Sequence, residues 1–133
     1  MRNGPRPSVR TAGGPSRSAR LPGGEAVDLV ALAAEICARY RAEFPDEQER
    51  YGDAGLAWCV HDNQHILNWA VLARSGDVDL DRELAWLARV LGAPDCPHER
   101  LARNLEIASD VVRERLDGAL ADDLSAAARA IPA

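Results

Sequence analysis

The 133-residue sequence has no lysine, and no acidic residue occurs before Glu25. It also has no C-x-x-C pair and no run of about 18 apolar residues. Each absence narrows the possibilities. Without a long apolar run, no segment is expected to span a membrane. The basic N-terminus has no apolar h-region behind it, so it does not read as a secretory signal. The three cysteines (Cys37, Cys59 and Cys96) are an odd number without metal-ligand spacing. They are expected to be reduced thiols of a cytoplasmic protein rather than a disulfide framework or a structural zinc site. No G-x-S-x-G elbow, phosphate-binding G-x-x-x-x-G-K-[ST] loop or paired-carboxylate site occurs, so nothing in the chain asks for an enzyme. No period-2 run of β-branched residues occurs either, so no sheet is expected.

All sixteen basic residues are Arg, which a GC-rich coding sequence explains without any special chemistry. Five of them lie in residues 1–24, while the other eleven face all 21 acidic residues from Glu25 onward. The body of the chain therefore carries about −10, which repels phosphate backbones and anionic membranes and makes nucleic acid a poor partner. Residues 1–24 are rich in Gly, Pro, Ser and Arg, and are expected to form a disordered tail. The tail reads as a solvated leader, as sequence upstream of a misassigned start, or as an electrostatic arm for an acidic partner. Residues 25–133 read as a single helical domain, which 47 % apolar composition dominated by Ala can close around a core.

The fold class expected is all-α: a four- to five-helix bundle or a globin-like helical packing. A first helix over 25–44 would bury Leu29, Val30, Ala33, Ile36, Cys37, Tyr40 and Phe44, and end at Pro45. Asp46 to Glu49 can start another, with Gly52 and Gly55 interrupting it before a helix over 53–74 closed by Ser75-Gly76-Asp77. Asp79 caps a helix burying Leu80, Leu84, Leu87, Val90 and Leu91, with Trp86 at the stripe's edge. A loop at 92–96 leads to a Pro97-initiated helix over 98–117, with Gly118 as its C-cap and 119–131 a docked helix or a frayed end.

The helix at 53–74 has two faces at 3.6 residues per turn. Leu56, Cys59, Val60, Asn63, Ile66, Leu67, Ala70 and Val71 form one broad stripe, while Trp58, Asp62, His65 and Trp69 form another opposite it. Two indoles, a carboxylate and an imidazole on the nominally solvent side imply that something covers them. As a site, the indoles supply flat walls and Asp62 orients His65; as structure, the stripe packs on a neighbouring helix. Asn63, set among apolar neighbours, requires a partner such as Asn104 or a backbone carbonyl. His61-x-x-x-His65 has the spacing that presents two nitrogens to one metal, but with His98 beside Cys96 as the sole third ligand, no metal is expected. A helix-turn-helix over 82–102 fails because Arg100, Arg103, Arg113 and Arg115 alternate with acids as an ion-paired, solvated face does.

Four strings carry a resemblance: Arg50-Tyr51-Gly52, Trp58-Cys59-Val60-His61-Asp62-Asn63, Trp86-Leu87-Ala88-Arg89-Val90-Leu91 and Pro97-His98-Glu99-Arg100-Leu101-Ala102. Over about residues 46–117 the chain resembles the helical input modules of bacterial sensory regulators. These include helical regions that precede cobalamin-binding domains and non-haem globin-like domains that precede STAS domains. The resemblance implies a signal-sensing or partner-binding module, with Cys59, Asp62, His65, Trp69 and Trp86 around its sensing or docking surface. No effector domain of the kind those modules precede is present in the sequence. The expected function is thus a non-enzymatic regulatory module acting through a homodimer or protein partner. The alternative is a small-molecule or metal sensor, with a tetrapyrrole- or cobalamin-like ligand on the Trp/Asp/His face.

Overall fold

A computed structural model describes residues 14–91 and 97–131. The expected loop at 92–96, with Cys96, and the first part of the expected tail lie outside the described residues. The order of elements is β1 (Ser18–Arg20), β2 (Ala26–Asp28), α1 (Leu29–Glu43), α2 (Asp46–Arg74), α3 (Leu80–Leu91), α4 (His98–Arg115) and α5 (Gly118–Ala130). The all-α class is correct, and the described residues form a bundle of five helices.

Two N-terminal expectations are corrected together. β1 and β2 pair antiparallel with Ala19 opposite Val27, so a small hairpin stands where no sheet was expected. Residues 14–24, assigned to the tail, include one of its strands. Three-residue strands are too short to show a period-2 pattern, and what holds them is burial. Val27 is 2 % exposed, Ala19 and Leu21 pack against the bundle, and Gln64 Nε2 of α2 donates to the Ser16 carbonyl at 3.0 Å. The hairpin also moves the start of α1 from 25 to Leu29, where the Asp28 carboxylate accepts from Ala31 N at 3.0 Å and caps the helix.

α1 ends at Phe44 before Pro45, as expected. α2 is two helical pieces joined at Gly52, whose φ of 62° and ψ of −158° lie outside the range open to residues with a side chain. Its far end is a Schellman motif: Gly76 at φ 80° donates to the Ala73 carbonyl, and Asp77 N to that of Leu72. Asp79 caps α3 through a 3.2 Å bond from Arg82 N. Gly118 is not a C-cap. α4 stops at Leu116, and Asp117 caps α5 by accepting from Leu120 N at 2.8 Å, so Gly118 is the first residue of α5.

α1 packs on α2 and α4, α4 on α5, and α3 on α2 and α5. The core joins Leu29, Ile36, Ile66, Leu67, Leu84, Leu87, Leu105, Val111, Leu120 and Leu124, each 1 % exposed or less. Leu56 departs from its expected stripe and is 36 % exposed, because it falls near the Gly52 kink and turns outward. The charged face of α4 bonds mostly to other helices rather than along itself. Arg103 pairs with Glu43, and Arg39 of α1 makes a bidentate pair with Glu114.

Candidate functional site

Residues 62 to 67 of α2 are all buried, six in succession. A helix buried through almost two full turns has no solvent face, so both expected stripes are covered at this level. The cover comes from α1, α3, α5 and the N-terminal hairpin. Of the second stripe, Asp62 and His65 are therefore enclosed by the chain itself, while Trp58 and Trp69 at its ends stay half-buried.

The polar groups gather on one side of this segment. Asn63 and Asn104 exchange amide bonds across α2 and α4: Asn63 Nδ2 donates to Asn104 Oδ1 at 3.2 Å, and Asn104 Nδ2 to Asn63 Oδ1 at 2.9 Å. Asn63 Nδ2 also lies 3.0 Å from the Cys59 carbonyl, which can only accept, and this fixes the orientation of both amides. Cys37 of α1 and Cys59 of α2 bring their sulfurs to 2.7 Å, and the same Asn63 nitrogen lies 3.4 and 3.6 Å from them. Two amide hydrogens thus serve four acceptors, and the two oxygens hold the better positions.

Beside this cluster lies a cavity of about 30 Å³, lined by Cys59, Asp62, Asn63 and Asn104 together with Tyr40, Glu47 and Arg100, and closed by Leu87 and Leu91 of α3. By this measure a water needs roughly 10–15 Å³, so the cavity holds about two waters or a molecule of two or three heavy atoms. Asp62 and Glu47 are 3 and 6 % exposed. Arg100 forks onto Asp46 at 2.9 and 3.0 Å, reaches Glu47 at 3.0 Å, and stacks on the Phe44 ring at 4.3 Å. The hydrogen bonds to Asp46 raise the Arg100 pKa and in turn hold the Asp46 carboxyl below its ordinary 3.8. Arg100 is thus committed to two carboxylates. The oxygens of Glu47, Asp62, Asn63 and Asn104 share the cavity wall with Tyr40, Ile66, Leu87, Leu91 and Leu101, which make most of it apolar.

On the adjoining side of α2 the aromatic rings stack in a ladder. Trp58 and His61 lie 4.9 Å apart, His61 and His65 4.9 Å, and His65 and Trp69 5.9 Å. His61 Nδ1 is 3.3 Å from Asp62 Oδ1. His65 is 6 % exposed, and its Nε2 has no hydrogen-bond partner among the described residues. Burial, seconded by the neighbouring His61, pushes the His65 pKa below 6.5. Among the described residues no three His, Cys, Asp or Glu side chains converge as a metal site would require.

Of the residues singled out from sequence, Cys59 and Asp62 line the cavity, His65 is buried behind them, and Trp58 and Trp69 are half-buried. Trp86 does not join them. It is 39 % exposed on α3, outside the cavity lining, because Leu84, Leu87, Ala88 and Leu91 take the buried side. Sequence reasoning missed Tyr40, Glu47, Arg100 and Cys37 as site residues. The one available signal was that two cysteines in a cysteine-poor chain both fall on buried faces of successive helices. Nothing marked Glu47 apart from the acids around it. No family model, curated protein or solved structure matches this chain.

Proposed function

We propose that this chain is a non-enzymatic sensory module that receives a small polar molecule in the cavity beside Cys59 and Asp62. It passes the change on by associating with another protein. The observation that carries this reading is the convergence of four of the buried polar residues, Glu47, Asp62, Asn63 and Asn104, on one void. A helical bundle of this size needs none of them. Buried polar groups contribute little net stability and are costly when any partner is lost. The sequence resemblance to sensory input modules supports the same conclusion.

The lining selects by size and polarity. With Arg100 held by Asp46 and Glu47, the buried carboxylates of Glu47 and Asp62 at the cavity favour a cation or hydrogen-bond donor of very few heavy atoms. Titrating the ¹⁵N- and methyl-labelled protein with ammonium, methylammonium, urea and, as the opposite case, formate tests this. A saturable shift of the Asn63 and Asn104 side-chain amides and the Ile66 methyls is expected with at least one donor and not with formate. A linear, non-saturating response to all four overturns it.

Association as the output rests on Trp86, the indole left exposed on α3. Trp69 packs on the core, so a charge there would disturb the fold itself. Trp86→Asp is the cleaner probe. Sedimentation should show self-association of the wild type that is lost in Trp86→Asp with the melting temperature unchanged, and association that survives the substitution overturns this role for Trp86. Among the described residues no helix is long and apolar enough to cross a membrane.

A further inference from the structure

Cysteines buried in apolar surroundings are ordinarily inert, because no reagent reaches them. Cys59 differs. It is 5 % exposed to bulk solvent yet forms part of the cavity wall, and Cys37, fully buried, stands 2.7 Å behind it. Cys59 therefore borders a cavity while its sulfur touches a second thiol. That is the arrangement a two-step thiol oxidation needs: space for a small oxidant, and a resolving thiol already in contact.

We propose that Cys59 and Cys37 are a hydroperoxide-responsive pair, oxidised to a disulfide that ties α1 to α2. The proposal rests on the cavity being the receiving site, and it names hydroperoxides as the class of molecule received. Hydrogen peroxide has two heavy atoms and two O–H donors, which suits a small cavity whose wall is largely apolar and whose polar part includes the oxygens of Glu47, Asp62, Asn63 and Asn104. In the first step the Cys59 sulfur attacks one peroxide oxygen. The S–O bond forms, the O–O bond breaks, and the thiol proton leaves with the displaced oxygen as water, or as an alcohol from an alkyl hydroperoxide. In the second step the Cys37 sulfur attacks the Cys59 sulfenic acid. The S–S bond forms, the S–O bond breaks, and the released hydroxide takes the Cys37 proton as water. The hydroperoxide is reduced by two electrons, and the two thiols together supply them. Asn63, whose amide nitrogen lies 3.4 and 3.6 Å from the sulfurs, positions the pair and ties its state to Asn104 on α4.

The test uses the full chain carrying Cys96→Ser, exposed to hydrogen peroxide while folded. Mass should fall by about 2 Da, and peptide mapping should show Cys37 linked to Cys59. The product should melt at a higher temperature than the reduced chain, since the bond closes a loop in the unfolded state. Cys37→Ser should stop at a sulfenic acid on Cys59 that dimedone traps, while Cys59→Ser should leave Cys37 reduced. Thiols that stay reduced in the folded chain, at peroxide concentrations that oxidise the urea-unfolded chain, overturn the proposal. So does oxidation of Cys37 in Cys59→Ser at the wild-type rate. The solute titration is read on the reduced protein without peroxide. Saturable solute binding with inert thiols therefore sinks the peroxide inference alone, and a crosslink without saturable binding sinks only the broader ligand reading.

Discussion

The seam between α4 and α5 and the junction of α1, α2 and α4 are built from opposite materials. In the seam, Leu105, Ala108, Val111 and Val112 meet Leu120, Ala121, Leu124 and Ala127, all 2 % exposed or less. One polar contact interrupts it: Ser109 Oγ donates to the Ala121 carbonyl at 2.7 Å. The junction instead holds two amides, two thiols and two carboxylates around a void. Small and branched apolar residues let α4 and α5 close tightly, and that burial stabilises the fold roughly in proportion to area. The junction forgoes such packing, and the space it keeps is where a ligand can enter. A bundle that gathers most of its buried polar groups at one place has a region for stability and another for response.

The sharpest way to test the contrast is to damage the seam. Leu124→Ala should cost about 2–5 kcal/mol, measured by urea denaturation, because a fully buried side chain leaves a cavity in rigid surroundings. At the junction the pattern should differ in kind. Asn104→Leu alone strands the Asn63 amide and should cost about 1–3 kcal/mol, whereas Asn63→Leu with Asn104→Leu should recover most of that loss. A single and a double variant equally destabilised would erase the distinction between the regions.

Titration gives two smaller contrasts. His65 is held below 6.5 by burial, so the unfolded chain takes up its proton first as pH falls. Its contribution is complete above 6.5 and declines below it. The melting temperature of the wild type should therefore drop between pH 7.5 and 5.5, and His65→Gln should flatten that drop. Asp46 behaves in the opposite chemical sense. Its carboxyl is depressed by the Arg100 hydrogen bonds, so it contributes above 3.8 and the contribution is lost as pH falls further. Because the Asp46 side chain is 38 % exposed, water screens the pair and the effect should be the smallest of the four. Arg100→Met should weaken that acid sensitivity.

Much of the fold was legible in the sequence because helical periodicity and caps are local signals. The break at Gly52, the Asp79 cap, the Gly76 closure and the Asn63–Asn104 partnership all follow from residue type and spacing. Gly118 misled, since a glycine between two helices fits either as the end of one or the start of the next. Here the Asp117 carboxylate decided it. The hairpin escaped because Val27, Leu21 and Ala19 acquire meaning only once a bundle surface exists to bury them. The site was half legible. Cys59 and Asp62 declared themselves by lying in a helix apolar on both sides, but Tyr40 and Arg100 reach the cavity from α1 and α4, and Glu47 from beyond the Gly52 break in α2. Only tertiary packing brings them there, and it leaves Trp86 on the outside.

Whether the junction serves a ligand or merely sets helix register is decided most directly in the Asn63→Leu/Asn104→Leu protein, by its urea midpoint together with the Ile66 methyl response to the same solutes. A midpoint at or above that of the wild type, with the saturable methyl shift gone, is the result expected if the polar groups are kept for a ligand. A midpoint far below the wild type, or a methyl shift that persists unchanged, would contradict it.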